Sequence, residues 1–211
     1  MSDFKEYVLP NIIEKRIIDQ AIAFFSKQEL LDFPLSSQFK DAGVYGLFYF
    51  GKFEPYSVIS NFNNQATKNE NFFPIYIGKA VPPGSRKGRT KKTAFKTIYN
   101  RLQEHSSSIK SVNNLKISDF KYKFVILRDN EIDLIAPLES ELIRKYSPLW
   151  NSNLPGFGIH VPGKGRNLQA KSEWDTFHPG REIAHILPKN EKTIDQIIKQ
   201  ISDYSEKLTL P

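Results

Sequence analysis

A chain of 211 residues, 39% hydrophobic and 25% charged, can build one sizeable core, which excludes a wholly disordered or fibrous protein. A net charge of +7 points to a polyanionic partner, nucleic acid ahead of an anionic membrane; the lack of cysteine excludes disulfides, thiol catalysis and Cys-containing zinc sites. Residues 1–10 hold no apolar signal-peptide core, and no run approaches the roughly 20 apolar residues of a membrane span, so a soluble, cytoplasmic protein is expected.

Residues 11–27 place Ile12, Ile13, Ile17, Ala21, Phe24 and Phe25 at helical spacing with charge on the other side, which predicts an amphipathic helix. Residues 43–50 and 73–79 are short, β-branched and aromatic, and predict strands; the Asn-rich stretch from Asn61 to Asn71 between them reads as a loop. A helix over 95–110 follows, with Phe95, Ile98, Leu102 and Ile109 on one stripe, then a strand over 119–128. Pro137 reads as the first residue of a further helix that runs to Tyr146, ahead of Pro148. Residues 151–181 hold five of the eleven glycines, interleaved with Phe157, Leu168, Trp174 and Phe177, which predicts an ordered wrap. A last amphipathic helix is expected over 190–207. The predicted class is α+β, a small antiparallel sheet flanked by helices. Within a single domain of 1–211 there is an N-terminal helical extension (1–42), a core (43–151), and a C-terminal wrap and helix (152–211).

Charge is unevenly spread. No acidic residue lies between Glu70 and Glu104, while Lys79, Arg86, Lys87, Arg89, Lys91, Lys92, Lys96 and Arg101 do. The segment PPGSRKGRTKK is broken by glycine and proline, so it predicts a basic loop entering a helix N-terminus, suited to a phosphate backbone. On the helix ending at Tyr146, Glu139 falls within the stripe of Leu138, Leu142, Ile143 and Tyr146, whereas Glu141 falls opposite. A carboxylate on an inward face needs a cation or a buried partner; a metal ion and a salt bridge both satisfy that demand. Arg101 and His105 are four apart, one above the other at the border of an apolar face. Tyr45 and Tyr76 alternate with Val44 and with Ile75 and Ile77 in their strands.

Together, Gly43-Val44-Tyr45, Tyr76-Ile77-Gly78, Arg101, His105, Glu139 and Asn151 resemble, in order and context, the GIY-YIG endonuclease superfamily. The excursion between the two tyrosines is longer than the turn usual there and is similar to the restriction-enzyme branch. NRLQEH, LIRKYSPLWN, GFGIHVPGKGR, AKSEWD and HPGRE are similar to type II enzymes that cut the palindrome CCGCGG (SacII isoschizomers). The resemblance implies a GIY-YIG nuclease core hydrolysing double-stranded DNA, with Tyr45 as base and Glu139 as ligand of one Mg²⁺ per active site, for which Mn²⁺ can substitute. Arg101 would hold the phosphoryl oxygens, and Tyr76 the phosphate or the attacking water. Lys79 would add electrostatic bias, and Asn151 would position the metal site or the backbone. A tyrosine of pKa about 10 is roughly 0.1% ionised at pH 7, so Tyr45 needs about 4 kcal/mol of help or a relay, for which His105 is suited. A palindrome implies a homodimer, and the restriction branch implies a companion DNA methyltransferase. Arg86, Lys87, Arg89, Lys91 and Lys92 in the basic loop, and Arg166, Gln169, His178 and Arg181 in the wrap, are the expected DNA contacts, with arginines suited to guanine. Alternatives within the scaffold are a homing or repair nuclease, for whose appended module 182–211 is short, and a DNA-binding protein that has lost cleavage, which predicts gaps in the constellation.

Overall fold

A computed structural model describes residues 12–36, 38, 40–81, 97–158, 170–208 and 210. The elements are α1 (Ile12–Lys27), β1 (Leu31–Asp32), β2 (Gly43–Tyr49), α2 (Ser57–Gln65), β3 (Pro74–Ala80), α3 (Ile98–Lys110), β4 (Phe120–Ile126), α4 (Ile135–Tyr146), and the short α5 (Leu149–Ser152), α6 (Glu173–Phe177) and α7 (Glu182–Ile186), then α8 (Ile194–Lys207). The four strands form one antiparallel sheet in the order β1-β4-β2-β3. This is the expected α+β architecture.

All seven residues of β2 are buried, so the sheet is covered on both faces. Tyr45 and Leu47 pair with Gly78 and Tyr76 on one face, towards α3 and α5. Val44 and Gly46 pair with Lys79 and Ile77 on the other, towards α1 and α4. The glycine that opens β2 is required by geometry: Gly43 has φ +153°, and a Cβ there would lie 1.9 Å from the carbonyl oxygen of Val125 on β4.

Several boundaries differ from the sequence expectation for physical reasons. Helix α1 buries Ile18, Ile22 and Phe25, while Ile17 and Phe24 of the expected stripe face solvent. Two apolar stripes of equal spacing lie one residue apart, and packing selects one. Helix α4 begins two residues before Pro137; the first four N–H groups of a helix have no intrahelical acceptor, so proline there forfeits no bond. Its end is a left-handed Ser147 (φ 42°) whose N–H bonds the Ile143 carbonyl, with Pro148 following.

The Asn61–Asn71 stretch is not all loop, since α2 runs to Gln65. Asn63, 1% exposed, explains this. Its amide donates to the carbonyls of Tyr49 and Phe73 (3.1 and 3.0 Å) and accepts from Phe73 N–H (2.7 Å), welding α2 to β2 and to the entry of β3. Thr97 and Asn100 form a capping box that starts α3, and Thr193 and Gln196 one that starts α8. No helix among the described residues is long and apolar enough to cross a membrane.

Candidate active site

Strand β2 supplies Tyr45, β3 supplies Tyr76 and Lys79, α3 supplies Arg101 and His105, and α4 supplies Glu139. Tyr45 is fully buried, and its hydroxyl lies 2.8 Å from Nε2 of His105, itself 3% exposed. The Tyr76 ring stands edge-on to His105, centroids 5.1 Å apart, and 6.4 Å from the Tyr45 ring. Gly78 makes the pair possible, because a Cβ there would come within 2.6 Å of the Tyr45 hydroxyl and 2.9 Å of the Tyr76 ring.

Burial pushes the Tyr45 phenol well above its ordinary range, aided by the neighbouring Tyr76 and opposed by the positive charge of Arg101, to which Tyr45 is hydrogen-bonded. Burial likewise raises Tyr76 to about 12; Arg101 opposes the rise and Glu139 adds to it. Both rings are therefore neutral at pH 7. A neutral phenol can both donate and accept, so the tautomer of His105 sets the direction of its bond to Tyr45. Arg101 also reaches Glu104 (3.2 Å) on its own helix.

Glu139 is 17% exposed and its Oε2 lies 2.5 Å from Nζ of Lys79. Its carboxylate is felt by both tyrosines, although it approaches from the opposite face of the sheet. Of the two partners foreseen as alternatives for this carboxylate, the structure shows the salt bridge, with Lys79 as its cation. Among the described residues no three His, Asp or Glu side chains gather to form a protein cage. One partly exposed carboxylate is a donor set that suits a hard cation keeping most of its waters.

Asn151, on α5, does not point at this chemistry. Its amide accepts from Ile77 N–H and donates to the Ile77 carbonyl, both at 2.8 Å. It completes the open edge of β3 as a further strand would, and so fixes the segment that carries Tyr76, Gly78 and Lys79.

Two expected DNA contacts are corrected. His178 is 0% exposed, held by Tyr56 at Nε2 and by Asn114 at Nδ1 (2.8 Å), while Tyr56 accepts from Trp150 Nε1 (3.0 Å). Burial, with the Arg181 charge nearby, lowers His178 to about 3. Arg181 is 7% exposed and forks onto Asp175 (2.6 and 2.7 Å), stacking over Trp174. Neither side chain faces a groove; both fasten the C-terminal wrap. Arg86, Lys87, Arg89, Lys91, Lys92, Arg166 and Gln169 lie outside the described residues.

Phe157 is the neighbour that sequence reasoning missed. It stacks on His105 at 4.6 Å and 20°. Interleaving of aromatics with glycine in the wrap announced burial, but nothing in the spacing named the imidazole as its contact.

The family model of the Eco29kI GIY-YIG domain matches residues 37–205. No curated protein matches the chain significantly. Since the match spans the three long strands β2, β3 and β4, both helices that carry the polar cluster, and the wrap behind it, the chain belongs to the Eco29kI GIY-YIG domain family, a family of restriction endonucleases whose substrate is DNA.

Proposed function

We propose that the protein is a Mg²⁺-dependent type II restriction endonuclease that cuts a GC-rich palindrome, CCGCGG, as a homodimer with one active site for each strand. A companion methyltransferase would protect the same sequence, completing a restriction–modification pair. The choice of site rests on the likeness of NRLQEH, LIRKYSPLWN, GFGIHVPGKGR, AKSEWD and HPGRE to enzymes that cut it. The dimer rests on the symmetry of a palindrome.

The observation that carries the catalytic reading is the buried Tyr45–His105 hydrogen bond, flanked by Arg101 and within the field of Glu139. With its acidity so weakened, Tyr45 cannot wait as a phenolate. Instead it accepts a proton from the attacking water as its own proton passes to Nε2 of His105, so no free phenolate forms. Arg101, permanently charged, holds the phosphoryl oxygens and opposes the charge that builds on them. Tyr76 donates a hydrogen bond to the phosphate or the water. Lys79 orients the Glu139 carboxylate and adds positive charge. Glu139 would hold the metal, and Mg²⁺, or Mn²⁺ in its place, would there supply Lewis-acid chemistry for phosphodiester hydrolysis. Asn151 acts through β3 alone. The basic loop, with Arg86, Lys87, Arg89, Lys91 and Lys92, contacts the backbone, and Arg166 and Gln169 read bases.

Digestion of a plasmid of known sequence with purified protein and Mg²⁺, followed by mapping of the ends, tests this. Discrete fragments ending within CCGCGG are expected. Fragments at another sequence contradict the specificity, and intact plasmid contradicts the activity.

A further inference from the structure

We propose that Phe157 is a positioning residue for His105, and that the buried Asp175–Arg181 pair sets Phe157 in place. The inference rests on the role given to His105 above. The Tyr45 hydroxyl meets the imidazole at Nε2, the Tyr76 ring stands edge-on to it, and the Phe157 ring lies flat on its face. Loss of the stacked ring would open space against one face of the imidazole, into which it can tilt and shift Nε2 relative to the tyrosine.

Phe157 itself cannot swing. Its edge meets Tyr76 at 5.1 Å, and behind it stand Trp150 at 4.3 Å and Trp174 at 5.1 Å. Its backbone is clamped by Arg181, whose Nη1 donates to the Phe157 carbonyl (3.0 Å) and whose Nη2 donates to the Gly156 carbonyl (2.9 Å). The remaining guanidinium valences go to Asp175, whose Oδ2 also accepts from the Ser172 hydroxyl (2.7 Å). The glycines on either side let the chain pass: a Cβ on Gly156 would collide with Ser172, and one on Gly158 would lie 2.4 Å from the Tyr76 hydroxyl. A phenylalanine that merely filled the core would not require a fixed cation on its own carbonyl, nor contacts with two polar rings of the cluster.

The test uses the full chain in four variants: Phe157→Leu, Arg181→Lys, His105→Ala, and Phe73→Leu as a control. Phe73 is as buried as Phe157 but packs on Tyr146, away from His105. Single-turnover cleavage, DNA affinity, thermal midpoint and the imidazole proton resonances are measured; with four histidines in the chain the His105 signal is assignable by its loss in His105→Ala. Phe157→Leu should slow cleavage by about 10- to 100-fold with affinity within about threefold, the scale of a misplaced catalytic group. It should also shift the His105 resonance downfield, as the ring current is removed. Arg181→Lys should shift the same resonance. Phe73→Leu should lower the midpoint comparably yet leave rate and resonance near those of the parent. An unmoved His105 resonance in Phe157→Leu, or a rate loss no larger than that of Phe73→Leu, overturns the positioning role. Normal cleavage by His105→Ala overturns instead the catalytic role on which it rests.

Discussion

Gly78→Ala is the smallest change that should disable the site. The added methyl would lie 2.6 Å from the Tyr45 hydroxyl and 2.7 Å from the ring carbon that bears it, where ordinary contact begins at 3.4 Å. Tyr45 sits on the central strand with no free space, so its ring must retreat by about 0.8 Å. A retreat of that size directed away from His105 would stretch their 2.8 Å bond to as much as about 3.6 Å, outside hydrogen-bonding range. Overpacking and the weakened buried bond together cost about 2–4 kcal/mol. A displacement near 1 Å in the reacting group lowers the rate on the order of a hundredfold. Urea unfolding gives the first quantity and single-turnover cleavage of a plasmid the second. A variant as stable as the parent that cuts within about threefold of its rate would show that the tyrosine pair tolerates the methyl and that its close packing is not required.

His178 should make the protein acid-sensitive. It stays neutral in the fold down to about 3, whereas in the unfolded chain it protonates near its ordinary 6.5. Its contribution is therefore complete above pH 6.5 and is lost progressively as pH falls towards 3, about 2–3 kcal/mol by pH 4.5. Urea unfolding at pH 7 and 4.5 should show a smaller acid loss for His178→Gln than for the parent; equal losses contradict the assignment. Asn151→Ala strips both partners from Ile77, so stability should fall by about 2–3 kcal/mol and cleavage by roughly tenfold, with the midpoint and rate as readouts. A normal rate in a destabilised variant would limit Asn151 to folding. Neutralising Lys91 and Lys92, which lie outside the described residues, should weaken binding to all sequences and reduce the salt slope by about one per lost contact. An unchanged slope removes them from the interface.

The sheet was legible because β2, β3 and β4 are written in β-branched and aromatic residues, and Glu139, with Arg101 and His105 less directly, was legible from helices of clear period; Tyr45 and Tyr76 were placed by the family resemblance alone. Glu139 could be selected from its helix face alone, but its approach to Lys79 could not, since that depends on how α4 crosses the edge of β3. Helix α2 was hidden by its asparagines, whose poor helix propensity is overridden by the three bonds of Asn63. His178 and Arg181 misled for the opposite reason. Polar residues in a glycine-rich segment look exposed, yet each had a partner far along the chain, Tyr56 for one and the carbonyls of 156 and 157 for the other. Only tertiary contact reveals such pairs.

In the proposed mechanism Glu139 would hold the metal while the Tyr45–His105 pair moves the proton. Single-turnover cleavage by Glu139→Ala across a Mg²⁺ titration, with DNA affinity measured beside it, tests it most directly. Near-parental affinity and no cleavage at any Mg²⁺ concentration are expected. Cleavage at the parental rate with an unchanged Mg²⁺ dependence would contradict that mechanism.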